Sequence, residues 1–248
     1  MVKYIIMLLP SLAFAQQLDP VFMYAARGPQ GTPPITFQAL GTNTTTTAAT
    51  DYATLASCAP SSNSLILCVT VSSLAAWARP TNISGCSVTW SNITSTNYNG
   101  SAMGISIWRA MTNATPPAGT VTAKYAASQT GGGLYVCQFK NVDTSGSFGS
   151  GAIVQVVKGT NATANCNVSL SALTGTANAV FAYFGNVDSN GSFGSPEAGW
   201  TTDLDEGYNT PATGQYGTHR LATTDNTVVV TSSAQQWAGI AIEIKQKP

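Results

Sequence analysis

An all-β chain, folded as a single jelly-roll-like antiparallel β-sandwich with an N-terminal extended strand, is predicted by three observations. Short runs rich in β-branched and aromatic residues follow one another from Ser64 onward, Gly, Pro and Asn punctuate them, and no long amphipathic stretch interrupts the series. The runs are Leu65 to Val71, Ser87 to Trp90, Gly104 to Arg109, Thr120 to Tyr125, Gly133 to Phe139, Ala152 to Val157 and Asn167 to Leu170. They continue with Ala179 to Phe184, Gly217 to Ala222, Thr227 to Thr231 and Trp237 to Ile244. Gly104-Ile105-Ser106-Ile107-Trp108 and Gly239-Ile240-Ala241-Ile242-Glu243-Ile244 place apolar side chains at period two, the pattern of a half-buried strand. Only Leu74 to Arg79 has the composition of a helical turn.

The chain opens with Lys3, an apolar run from Tyr4 to Leu9, and Ala13-Phe14-Ala15 ahead of Gln16. A charged start, a short apolar run and small residues at the cleavage positions are the marks of a secretory signal peptide, so residues 1–15 are read as that peptide. The run is too short to span a bilayer. Export to the extracellular space or cell surface is the expectation. Residues 16–35 form an N-terminal apolar strand and Pro/Gly linker, and residues 36–248 the sandwich.

Charged residues are 8% of the chain and the formal net charge is zero. A globular domain ordinarily carries about a quarter charged residues. Such a surface excludes nucleic acid and anionic membranes as favoured partners, and Ser, Thr, Asn and Gly take over the task of solubility. Sequons of the form N-x-[ST] stand at Asn43, Asn82, Asn92, Asn99, Asn113, Asn161, Asn167 and Asn190, the candidate glycan acceptors of an exported protein. The Thr-rich stretch Thr42 to Thr50 reads as a flexible loop or a carrier of O-linked sugar.

Five cysteines in an oxidising compartment read as two disulfides and one remaining thiol. Cys58 and Cys68 flank a turn-rich loop and are expected to staple it, and Cys137 and Cys166, both in strand-like runs, are the second candidate pair. No C-x-x-C spacing accompanies the lone His219, so no zinc site is expected.

The succession of Leu-Ile-Leu-Cys-Val-Thr-Val (65–71), Ser-Val-Thr-Trp (87–90), Ile-Ser-Ile-Trp (105–108), Pro-Ala-Gly-Thr-Val-Thr (117–122), Gly-Leu-Tyr-Val-Cys-Gln-Phe-Lys-Asn-Val-Asp (133–143) and Trp-Ala-Gly-Ile-Ala-Ile-Glu-Ile (237–244) resembles a β-sandwich module widespread in secreted and phage-encoded proteins, mostly of unassigned function. The resemblance covers most of the chain after residue 16. It implies the fold and is silent on activity.

An internal echo joins Asn141-Val-Asp-Thr-Ser-Gly-Ser-Phe-Gly-Ser150 to Asn186-Val-Asp-Ser-Asn-Gly-Ser-Phe-Gly-Ser195, read as similar loops at equivalent strand ends of one sandwich. The second copy, with Asn186, Asp188, Asn190, Gly191 and Glu197, has the oxygen-bearing residues of a calcium loop. A neutral first ligand and strand-like flanks argue for an ordinary turn instead, and no metal or other cofactor is expected. Asp203, Asp205 and Glu206 cluster after Trp200, but closeness in sequence does not set two carboxylates across a cleft. His219 has no nucleophile elbow to serve. It reads as a surface or groove residue, and no catalytic residue is assigned.

Among the tryptophans, Trp90, Trp108 and Trp237 lie in alternating runs and read as core. Trp77 and Trp200 lie beside loops and are the candidates for stacking on sugar rings. The apolar stretch Val21-Phe22-Met23-Tyr24-Ala25-Ala26 has strand length and is followed by Gly28-Pro29-Gln30-Gly31-Thr32-Pro33-Pro34, a linker composition. An uncovered apolar strand is an aggregation hazard, so it pairs either with its own sheet or with the next molecule by strand addition. This layout is similar to that of donor-strand-linked extracellular fibril subunits. The expectation is a non-enzymatic structural protein that polymerises head to tail with itself, the alternative being a monomeric carbohydrate-binding or adhesive module.

Overall fold

The computed structural model describes residues 31–188, 193–233 and 236–248. Residues 32–248 form one compact unit. Val21, Phe22, Met23 and Tyr24, the proposed assembly strand, lie outside the described residues, as does Asn190.

Sixteen strands run through the described residues. The first eight are β1 (Thr36–Thr45), β2 (Ala49–Ala53), β3 (Ser64–Ser73), β4 (Asn82–Ser84), β5 (Ser91–Tyr98), β6 (Met103–Met111), β7 (Thr122–Gln129) and β8 (Gly131–Lys140). The second eight are β9 (Ile153–Asn161), β10 (Asn165–Ser169), β11 (Ala179–Asn186), β12 (Phe193–Pro196), β13 (Thr201–Asn209), β14 (Ala212–Arg220), β15 (Thr227–Ser232) and β16 (Trp237–Ile244). A short 3₁₀ segment, Ser147–Ala152, joins the two sets.

The first set forms a five-stranded sheet in the order β1-β8-β3-β6-β5 and a three-stranded sheet in the order β2-β7-β4. The second forms a five-stranded sheet ordered β9-β16-β11-β14-β13 and a three-stranded sheet ordered β10-β15-β12. Adding eight to each strand number of the first half reproduces the second. The chain is therefore a duplicated unit of eight strands, and the single sandwich expected from the sequence is a stack of four antiparallel sheets.

The two large sheets face each other at the centre, with β1 against β13 and β5 against β9, an exchange of equivalents that gives the interface approximate twofold character. Its core includes Leu65, Leu67, Val69, Ile105, Ile107, Phe139, Phe181, Tyr183, Ile240 and Ile242. Each small sheet covers the outer face of its large sheet. Ile66, Cys68, Trp108, Leu134 and Val136 fill one outer core, and Val180, Ala182, Phe184, Tyr216 and Trp237 fill the other. Both faces of the central strands of the large sheets are thus covered. That explains why β3, with its apolar run Leu65 to Val69, is buried at every residue, and why β16, expected to be half-buried, is buried along its whole length.

The duplication extends to a polar latch centred on the buried Gln138 and Glu243. Gln38 and Gln138 are register partners on β1 and β8, as Gln155 and Glu243 are on β9 and β16. In the first half Gln138 Oε1 accepts from Ser61 N at 2.8 Å and its Nε2 donates to Gln38 Oε1 at 2.6 Å. In the second, Glu243 accepts from Gln155 Nε2 at 2.7 Å, Thr174 N at 2.8 Å and Asn178 Nδ2 at 2.6 Å. Ser61 and Thr174 lie in equivalent loops, before β3 and β11. Each latch ties the inter-sheet loop to the last strand of its half, and the buried Gln138 and Glu243 have partners, as buried polar groups require.

The ends of the halves also meet. Val142 bridges Gln246, Lys245 Nζ donates to Asp143 Oδ2 at 2.8 Å, and Gln246 Nε2 donates to Pro33 O at 2.8 Å. Asn141 Nδ2 holds Pro34 O at 2.7 Å. Thus the segment entering β1 is fastened to the chain that leaves β16.

Several sequence expectations change. The run Ser87 to Trp90 is not a strand, because Gly85, Cys86 and Ser87 all take positive φ and turn the chain before β5. The Thr-rich stretch is the end of β1 and its turn into β2. The echo does not mark the duplication: its copies follow β8 and β11, which are not equivalents.

All five cysteines are free thiols. Cys137 faces the central core and Cys166 the outer core of the second half, so that pairing is excluded by the sheet between them. Cys58 and Cys68 share an outer core without a bond. The predicted turn ends at Ser64, where β3 starts, and Cys68 is carried into the strand interior. Cys58 Sγ is directed instead to Thr54 Oγ1 at 3.8 Å.

Candidate functional site

Two places stand out: the β1–β13 side between the large sheets, where charge and aromatic rings meet, and an uncharged surface cleft beside the join of the halves, with an aromatic ring at its rim. Between the sheets, a bulge at Thr202/Leu204 on β13 separates the three acidic residues. Asp203 turns inward, Asp205 is exposed, and Glu206 accepts from Thr42 Oγ1 of β1 at 3.1 Å. No pair of carboxylates is brought to one cleft by this arrangement.

Asp203 Oδ1 lies 2.7 Å from His219 Nδ1, and their side chains are 2% and 9% exposed. The imidazole stacks on Phe37 with centroids 4.0 Å apart and meets the edge of Phe139. His219 is therefore a core residue, not the surface or groove histidine expected from its position. Burial raises the Asp203 carboxyl above the usual range, the hydrogen bond and charge of His219 opposing it. Asp203 Oδ2 has no hydrogen-bond partner. Deeper in, the Tyr183 hydroxyl bonds Gln215 Oε1, while the Tyr135 hydroxyl and Gln215 Nε2 are without partners. An aspartate–histidine pair can pass a proton, but this one is clamped between aromatic rings inside the interface. Its evident work is to tie β13 to β14 and seat Phe37 of β1.

The glycan-stacking candidates separate. Trp200 is buried in an outer core, with Nε1 donating to Asp225 Oδ2 at 3.2 Å, and offers no face to solvent. Asp225 also accepts from Arg220 Nη1 at 2.8 Å, so the ring is held by an ion pair. Trp77 is half-buried, lies flat over Gly104 of β6 where a Cβ would strike the ring, and donates to Ser72 Oγ at 2.8 Å.

Among the sequons, Asn82, Asn113, Asn161 and Asn167 are exposed, and Asn43, Asn92 and Asn99 are half-buried. The amide nitrogen of Asn43 donates to Ala53 O at 2.7 Å and that of Asn92 to Ile107 O at 3.2 Å, so neither is free for attachment in the folded chain. At the loop after β11, Asn186 Oδ1 accepts from Gly214 N at 3.1 Å and Asp188 N at 3.2 Å. Its oxygen is engaged by backbone rather than turned to a cation.

The cleft, of about 590 Å³, lies between Ser87–Thr89, the β6–β7 connection Met111–Pro117 and the join Thr144–Phe148. Phe148 stands at its rim 47% exposed, and Leu55 is the other large apolar side chain exposed among the described residues. The sequence reading missed this feature, and the Gly-Ser-Phe-Gly-Ser echo does not signal it, since the same motif leaves Phe148 exposed in one copy and buries Phe193 in the other.

Comparison with known protein families, with characterised proteins and with solved structures found no match. Among the described residues no helix is long and apolar enough to cross a membrane.

Proposed function

We propose that this chain is a non-enzymatic extracellular structural protein, a fibril or surface-filament subunit whose N-terminal strand adds to the sheet of the next copy. The observation that carries the reading is the duplication. The second half counts the strands a half requires, and the first half has all eight from Thr36 onward. Val21 to Ala26 is then an additional strand, not a missing one, and the Pro/Gly linker gives it reach. Because each half has its full complement, the joint is an added edge strand and not a filled groove. The winding of each half, with its first strand beside its last, suits a jelly roll, a compact module for repeated assembly.

Removal of Gln16 to Arg27 tests this. By electron microscopy and light scattering, the full-length secreted protein is expected to form elongated particles. The truncated protein should be a folded monomer with an unchanged melting temperature. A full-length protein that stays monomeric at high concentration, or a truncation that unfolds, overturns the proposal.

A further inference from the structure

We propose that the cleft beside the join of the halves is a binding site for a neutral saccharide, with Phe148 as its stacking platform. The ring is displayed by a fixed turn. Gly146, Phe148 and Gly149 have φ of 76°, 54° and 82°, and the left-handed conformation is costly for a bulky residue. The turn is held by Gly151 N to Ser145 O at 2.9 Å and by Ser145 N to Asp143 Oδ1 at 2.9 Å, and Asp143 is itself paired with Lys245. Gly149 has no room for a side chain, since a Cβ would lie 2.9 Å from Leu65 Cδ1 in the central core. The backbone thus accepts strain to hold an aromatic ring at the mouth of a cleft, while among the described residues Leu55 alone is another exposed large apolar side chain.

The lining decides the class of ligand. Val88, Met111, Pro116 and Pro117 supply apolar surface, Asn113 and Thr115 supply amide and hydroxyl groups, and no ionisable side chain lines the cleft. An anionic ligand finds no cation there. A pyranose offers what such a lining recognises, an apolar C–H face for the ring and hydroxyls for the polar rim.

The test uses full-length protein made in a host without N-glycosylation, so that Asn113 carries no glycan. Ligand-observed NMR and calorimetry with neutral hexasaccharides of glucose, mannose, xylose and N-acetylglucosamine should find binding to at least one. Phe148→Ala should weaken it about tenfold or more, and Phe148→Trp should retain it. Unchanged melting temperatures for both variants would assign the loss to the ring itself. Absence of binding by every sugar, binding indifferent to Phe148→Ala, or capture of a peptide spanning residues 27–35 in place of sugar overturns the proposal. Each readout is independent of assembly, so a failed fibril leaves it standing.

Discussion

At the residue scale, the most consequential group is the buried Asp203, whose one partnered oxygen relies on His219. His219→Ala removes both the partner and the ring that seats Phe37. The expected cost is about 3–5 kcal/mol, because a buried carboxylate is left uncompensated. The sign of its pH dependence follows from the raised carboxyl: a protonated Asp203 tolerates burial, an ionised one does not. The variant's deficit in denaturant melts should therefore be largest near neutral pH and shrink as pH falls through the Asp203 titration. A deficit independent of pH would mean that packing alone was lost. The thiols give a second check. Burial pushes all five cysteines up, Cys166 to about 12, so they are both covered and poorly ionised. Iodoacetamide should leave the native protein unlabelled at mild alkaline pH and label five sites on unfolding without reductant. A peptide joining Cys58 to Cys68 would contradict the structure.

At the scale of the element, what was legible in the sequence depended on where a strand lies in its sheet. The central strands β3, β6, β7, β8, β11, β14, β15 and β16 announce themselves, because covered faces demand apolar and β-branched residues. Those that escaped, β1, β2, β4, β5, β12 and β13, are all edges. Edge strands are part-exposed and tolerate Thr, Asn and acidic residues, so Ser91–Tyr98 and Thr201–Asn209 look like loops. The buried pair failed to show for the same reason: Asp203 turns inward only because a bulge shifts β13, and nothing local encodes that. Glu243 was visible only as an interruption of an apolar strand. Burial pushes its carboxyl up, but hydrogen bonds from Gln155, Asn178 and Thr174 together bring it below its ordinary value. Its contribution is thus present above the unfolded carboxyl range and lost as pH falls through the depressed value. Glu243→Gln should cost about 1–3 kcal/mol in a denaturant melt at neutral pH, since an amide NH₂ would face donors. A neutral outcome would show that the latch rearranges to the Gln–Gln form of the first half. The edges also differ in protection. β13 carries three carboxylates, whereas β9, from Ile153 to Asn161, has one charged residue, Lys158. On assembly, hydrogen exchange should slow at β9 amides that point away from β16 and stay unchanged along β13.

At the scale of the whole molecule, the shared central core makes the halves interdependent. Each presents its large sheet to the other, and separation would expose Leu67, Ile107, Phe181 and Ile242 together. Unfolding should be one cooperative transition by calorimetry, and either half expressed alone should aggregate. Two resolved transitions would show that the halves are separate folding units. The sequence carries no trace of this plan that spacing or motif reading can find. Equivalent positions keep polarity and register more than identity: Gln38 and Gln155 match, whereas Gln138 and Glu243 differ.

The fastening of Pro33 to Gln246 brings the start of the first half beside the finish of the second. Order along the polypeptide is then nearly irrelevant to the native contacts. A circular permutant that begins in the join at residues 144–146 and connects residue 248 to residue 32 by a short linker would present the second half first and still be able to form every sheet. Such a chain would dispense with residues 1–31, and with them the assembly arm. It would thereby separate the ability to fold from the ability to polymerise.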